Sequence, residues 1–282
     1  MRKSFVAGTV ATLFMLSACG GGSGNGGGVS TEATPTSKGY ISSIVLPKFD
    51  ASSAYIKIDG KTYHLDNEVN RVIDISGYSK GLHRFDFESS MNIEGSNGKK
   101  NYKESHTGKA YLYKQNYSVI LGADDQYVYK SSADGNQKAP EEGFTIDSLQ
   151  GEETPIEALP TKGRYTYNGE AFHKDEVGKL TYTADFDAMR GSGSITGMPT
   201  FGKVTLKSAE ITQVEDQEED FKGVGVEDGV AVAEKVGSGT YDLYFFGPKA
   251  EEIVGVTTLT RPGDPKLETE EQEFEIGIAG KR

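Results

Sequence analysis

From Tyr40 onward, short runs of β-branched and aromatic residues alternate with clusters of Gly, Asn, Asp and Ser, and no long stretch has helical period. Strands punctuated by turn residues at intervals of about ten predict an all-β, antiparallel protein. The clearest run is Lys179 to Phe186, where Leu180, Tyr182, Ala184 and Phe186 share one face and Thr181, Thr183 and Asp185 the other. Such alternation marks a strand with one buried and one wet face. Tyr241, Leu243 and Phe245 alternate with Asp242, Tyr244 and Phe246 in the same way, and Phe274, Ile276 and Ile278 share one side of the last run. About eight strands are expected between Arg164 and Ala279. The 36 glycines suit the turns, bulges and bends of a closed sheet.

The first half is less regular, with strands expected at Ile41 to Pro47, Ala54 to Ile58, Arg84 to Glu94, Gly108 to Tyr113, Tyr117 to Leu121 and Tyr127 to Lys130. Ser131 to Glu142 is polar, contains Gly135 and Pro140, and reads as an exposed loop. Gly151 to Lys162, with Pro155 and Pro160, reads as a connection between two β domains, 39–158 and 159–282, meeting near Leu159.

The N-terminus has a different character. Arg2 and Lys3 precede an apolar stretch from Phe5 to Leu16, which leads into Leu16-Ser17-Ala18-Cys19. This is the pattern of a lipoprotein signal peptide over residues 1–19, with Cys19 as the lipidation site. The apolar stretch is too short to span a bilayer as a mature helix. Gly20 follows Cys19 where an aspartate would retain the protein at the inner membrane, so the outer membrane of a Gram-negative cell is expected. Residues 20–38 are rich in Gly, Ser and Thr with almost no large apolar side chain, and read as a flexible tether. Several acyl chains would hold the protein to the membrane, and the tether suits a folded part that faces the cell exterior, where a partner approaches from outside.

Charge narrows the choice of partner. Loss of Arg2 and Lys3 with the signal leaves 28 basic against 42 acidic side chains, a net charge near −14. That balance argues against nucleic acid and against anionic lipid, both of which need clustered Lys and Arg. Cys19 is the sole cysteine, so neither a disulfide nor a cysteine nucleophile is expected.

No catalytic set stands out. His64, His83, His106 and His173 lie on separate segments without ligand-like spacing, so no metal site is expected, and they read as exposed or hydrogen-bonded structural residues. No nucleophile elbow, phosphate loop or calcium loop occurs. The acidic runs Glu215 to Asp220 and Glu268 to Glu275 read as solvated surface. These features predict a protein that is not an enzyme and carries no cofactor. Tyr111, Tyr113, Tyr117, Tyr127 and Tyr129 admit two readings, a partner-binding face or the lining of a domain core. Haem capture by a tyrosine is a weaker option.

The second half resembles a known family. Gly163 to Phe172, Gly178 to Phe186, Gly191 to Ile195, Gly239 to Gly255 and Ile276 to Arg282 follow the order of motifs in the factor H binding protein family and in the C-terminal barrels of transferrin-binding protein B-like surface lipoproteins. His83 to Phe87, Tyr113 to Gln115 and Phe144 to Ile146 extend the likeness thinly into the first half. The resemblance implies an eight-stranded antiparallel C-terminal β-barrel, a more open N-terminal antiparallel β domain, display by an outer-membrane lipoprotein translocator, and binding of a host protein or glycoconjugate. Two glutamates that contact factor H in the family correspond here to Gly237 and Thr258, and Arg261 to Pro265 extends the following hairpin. The chain is also similar to colonisation lipoproteins of nematode symbionts in the same class.

The expected function is therefore non-catalytic support of host association and colonisation by binding a host molecule, through a face that the sequence does not locate. The alternatives are factor H binding for immune evasion, a receptor for a host metal or haem carrier, and a structural lipoprotein facing the periplasm.

Overall fold

The computed structural model describes residues 28–30, 40–46, 53–65, 72–93, 102–132, 135–216, 221–263 and 271–282. Cys19 and most of the expected tether lie outside these residues. The described chain is nearly all strand, and its one helical segment is the 3₁₀ turn Ile156–Ala158.

The first half supplies β1 (Gly28–Ser30), β2 (Ser43–Val45), β3 (Tyr55–Ile58), β4 (Lys61–His64), β5 (Val72–Asp74), β6 (Gly81–Ile93), β7 (Tyr102–Lys114), β8 (Ser118–Ser132) and β9 (Gly135–Gly151). Seven of these form an open sheet in the order β1-β9-β8-β7-β6-β3-β4, and β2 pairs with β5 in a small second sheet. Ile44, Leu46, Ile56, Ile73 and Ile75 meet Leu112, Val119, Leu121 and Ala123 of the large sheet in one core. β1 runs parallel to Ser148–Gln150, so a short piece of the expected tether joins the sheet edge.

Ser131 to Glu142 is not the loop its composition suggests, because β8 and β9 continue as a hairpin with Ser132 opposite Gly135. Pro140 is accommodated opposite Tyr127, beside a register shift, where β9 pairs on one side only. A residue without an N–H is tolerated at such an edge.

The second half supplies β10 (Arg164–His173), β11 (Glu176–Asp185), β12 (Arg190–Met198), β13 (Gly202–Glu210), β14 (Thr212–Asp216), β15 (Phe221–Ala233), β16 (Ser238–Phe246), β17 (Glu252–Arg261) and β18 (Gln272–Lys281). All but β14 join an eight-stranded antiparallel barrel, closed where Val204–Leu206 of β13 meet Ala231–Ala233 of β15. β14 is an extra strand hydrogen-bonded to β15. Leu180, Tyr182 and Ala184 point inward beside Tyr167, Tyr241, Leu243, Phe245, Ile276 and Ile278, and together they fill the lumen. A barrel of this size is just wide enough for such side chains to pack it solid. Gly191 and Gly229 make room for the rings, since a Cβ at either would lie within 2.3 Å of Tyr182 or Tyr241.

One wall of the barrel departs from simple alternation. Tyr244 and Phe246, on the expected wet face of β16, are buried, as is every residue of β17 from Glu252 to Leu259. The open sheet covers this wall. Phe172 projects outward from β10 into a nest of Tyr111, Tyr113 and Phe144, with ring centroids at 6.5, 5.9 and 6.0 Å. Val254, Val256 and Ala279 pack against Ile120, Ile146 and Leu149 around it. Gly277 belongs to the same fit, because a Cβ there would sit 2.6 Å from the Phe172 ring and 2.9 Å from Ile146.

Truncating a buried phenylalanine costs roughly 3–5 kcal/mol, and each aromatic pair adds about 0.5–1.5 kcal/mol beyond burial. Phe172→Ala is expected to lower the unfolding free energy by about 3 kcal/mol or more, and Val177→Ala, at a side chain 41% exposed, by less than about 0.5 kcal/mol. Urea denaturation of the two variants checks this.

Candidate functional site

The solid lumen leaves the outer surface and the seam between the domains as places to bind a partner. The seam is organised by a carboxylate. Glu252, at the start of β17, is buried against the turn joining β7 to β8 and accepts hydrogen bonds from the Asn116 amide (2.8 Å), the Tyr117 amide (2.9 Å) and the Ser118 hydroxyl (2.8 Å). Burial raises its pKa, while these three donors favour the ionised form. Gln115 adds a bond from Nε2 to the Ile253 carbonyl at 3.2 Å. At the far end of the seam, Lys174 pairs with Asp124 at 2.9 Å and Arg84 lies 3.7 Å from Asp175.

The turn held by Glu252 forms one side of an open cavity of about 580 Å³. Tyr40, Ile41 and Ser42 make a second side, and Ser76 with Tyr78 to Lys80 a third. Ile41 donates its amide to the Asn116 carbonyl at 2.6 Å, tying two sides together. Lys114 is buried in the wall, its ammonium donating to the carbonyls of Ile75 (2.6 Å) and Tyr78 (3.0 Å). Burial lowers its pKa and Asp74 partly restores it. Asp74 is itself engaged with Ser76, accepting its amide at 2.8 Å. The lining thus contains two lysines, three serines, two side-chain amides and two tyrosine rings, with no carboxylate and Ile41 as its one aliphatic residue.

The structure separates the five tyrosines. Tyr111 and Tyr113 are buried between the domains, Tyr117 packs beside them, and Tyr127 and Tyr129 are exposed at 45% and 38%. Core lining is thus the outcome for the first pair. Gly237 sits at the start of β16 with φ +151°, and a Cβ there would lie 2.3 Å from the Thr260 carbonyl oxygen. No side chain fits at Gly237 without backbone movement. Thr258 lies on the covered wall opposite Glu275 and is 7% exposed. Neither position offers a contact surface in this conformation.

Among the described residues, no group of three His, Cys, Asp or Glu is arranged to hold a metal. His106 nonetheless has partners that its sequence neighbourhood conceals. Its Nδ1 lies 2.9 Å from Asp125 and its Nε2 3.0 Å from Glu104, all three buried, and Lys130 pairs with Glu104 at 3.0 Å. Burial opposes charge on the ring, but the hydrogen bonds it donates to the two carboxylates outweigh it and push the pKa up to about 9. His173 is the opposite case. Packed against Phe144 and Phe201, it has its pKa lowered by burial, with Nδ1 2.6 Å from the Glu275 carbonyl.

Residues 157–257 match the family described as factor H binding protein, C-terminal. Among solved structures, the intact transferrin-binding protein B of both lobes, Ap-TbpB, aligns at 17% identity over 81% of this chain and 45% of its own, with a TM-score of 0.38. Isotype 1 transferrin-binding protein B from serogroup B Neisseria meningitidis aligns at 16% identity over 82% and 43%, with a TM-score of 0.39. A double mutant of the Haemophilus parasuis protein aligns at 17% identity over 85% and 44%, with a TM-score of 0.35. The chain spans less than half the length of each of these proteins.

Because the folded pKa of His106 lies above its ordinary value of 6.5, its ion pairs stabilise fully below pH 6.5 and that contribution is lost as pH rises through about 9. Stability measured across this window is expected to fall, and the slope to be absent in His106→Gln. The variant is expected to be destabilised by roughly 3 kcal/mol at pH 6, since it leaves buried Asp125 without its cation while Glu104 keeps Lys130. A separate test of the seam is Glu252→Ala, which leaves three donors without their acceptor. Faster amide exchange at Asn116 and Tyr117 and a loss of about 1–3 kcal/mol are expected.

Proposed function

With a factor H binding protein-type barrel as the premise, we propose that this chain is a non-catalytic lipoprotein of the outer-membrane surface that binds a host molecule in the groove of its first domain, beside the turn that Glu252 of the barrel holds. In this reading lipidation at Cys19 anchors the chain, and an outer-membrane translocator of the kind the family resemblance implies carries the folded part to the outside. The observation that carries the reading is the groove itself. It is open, polar and about 580 Å³ in volume, within the roughly 300–1,000 Å³ of ligand sites, and it is shaped by contacts from both domains. Binding of a host molecule there would support association with the host and its colonisation.

The family description favours one specific second reading, factor H itself as the partner. The positions corresponding to the family's two contacting glutamates speak against that mode of binding. Gly237 has no room for a side chain and Thr258 is covered by the open sheet. Capture of haem itself, as distinct from binding a carrier protein, is poorly served by a groove whose one aliphatic residue is Ile41.

The test uses full-length protein displayed on Gram-negative cells. Protease added to intact cells is expected to remove the folded part from wild type, and Cys19→Ala to release it from the membrane. Cells displaying Tyr40→Ala/Lys80→Ala are expected to adhere to host tissue about tenfold less well than wild type, corresponding to about 1.4 kcal/mol, and cells displaying Thr183→Ala on the barrel to match wild type. Equal adherence by all three would remove the groove from the function. Tight binding of purified factor H to the wild-type chain would make immune evasion the leading function.

A further inference from the structure

We infer that this groove of the first domain is a saccharide site selective for a carboxylate-bearing sugar, such as a sialic acid or hexuronate at the end of a host glycan. The inference rests on the groove being the binding site proposed above and adds the chemistry of its ligand.

The lining determines the class. Ser42 and Ser79 present hydroxyls and Asn116 an amide, while Ser76 is engaged with Asp74 and Gln115 Nε2 donates to Ser118 and Ile253, so the wall is polar and suits a polar ligand. Apolar ligands are disfavoured, because their sites are lined predominantly by hydrophobic side chains and burying these polar groups against hydrocarbon would leave them unpaired. Tyr40 and Tyr78 supply the two aromatic faces, Tyr40 exposed at 46% and held edge-on to Tyr117 at 5.7 Å between centroids. A ring with an apolar body and a polar tip offers a surface for the C–H face of a sugar and a hydroxyl for its edge.

Charge gives the selectivity. In a chain with a formal net charge of −12, this groove is lined by Lys80 and Lys114 and by no carboxylate. The Lys114 ammonium has three N–H donors, of which the carbonyls of Ile75 and Tyr78 engage two. The third can meet an anion from a position already fixed by burial, so little side-chain freedom is lost on binding. Asp74 offsets part of the Lys114 charge and Glu252, behind the Asn116 turn, interacts with Lys80, so the two ammonium groups are the charges that face the groove itself.

The experiment titrates the full folded chain with 3′-sialyllactose, and with lactose as the neutral control, following amide shifts at 76–80 and 114–116 by NMR and affinity by calorimetry. Binding of sialyllactose at least tenfold tighter than lactose is expected, with shifts confined to these segments and a tenfold loss in Lys80→Ala and in Tyr40→Ala. Both variants lie at the rim, and their unchanged spectra elsewhere would show that the fold is intact. Glucuronic acid and N-acetylneuraminic acid as free probes separate hexuronate from sialic acid. Absence of any shift at millimolar sialyllactose and glucuronic acid, or equal binding of lactose, would overturn the saccharide inference. If the rim variants still lose host adherence in that case, the groove remains the binding site for a ligand of another class; if they do not, the groove reading fails as well.

Discussion

Seating Phe172 of the barrel among Tyr111, Tyr113 and Phe144 of the open sheet is the contact on which the rest of this molecule depends. The sheet needs a second apolar layer, because Ala110 to Tyr113 of β7 and Val119 to Ala123 of β8 are buried on both faces and the small β2–β5 sheet covers only one of them. The barrel supplies that layer with its outer wall, at β10, β16, β17 and β18. Around this apolar centre lie the carboxylate bonds of Glu252 and the ion pairs of Lys174 and Arg84. The arrangement is that of an obligate interface, with an apolar middle and a polar rim.

This docking has a consequence for recognition. A filled barrel has no interior site, and the wall that could have met a partner is already occupied by the chain's own first domain. What remains at the seam is the turn from Gln115 to Ser118, held by Glu252 on one side and by the Ile41–Asn116 hydrogen bond on the other. The groove is thus built on backbone fixed by both domains, which keeps its polar groups in place before a ligand arrives.

The strands themselves were legible because alternation is a direct record of burial on one face. Leu180, Tyr182, Ala184 and Phe186 line the lumen as their spacing implies. Alternation fails where both faces are buried, which is why Tyr244 and Phe246 read as wet when they are covered. The continuous apolar run from Ile253 to Val256 was the available clue, since a strand buried on both sides loses its period. The β8–β9 hairpin was obscured by Gly135 and Pro140, residues that an unpaired edge tolerates. His106 and Asp125 meet only through cross-strand pairing next to a register shift, and the groove gathers residues from three distant segments. Neither leaves a local pattern to read, and the burial of Thr258 and the crowding at Gly237 likewise arise from strands distant in sequence.

The central claim is that the two domains form one rigid unit through this seam. Backbone ¹⁵N relaxation of the folded chain tests it most directly, by comparing rotational diffusion of amides in the open sheet and in the barrel. A single diffusion tensor fitting both sets is predicted. Two separate tensors, with the smaller domain tumbling faster, would show that the seam does not hold in solution and would contradict the account.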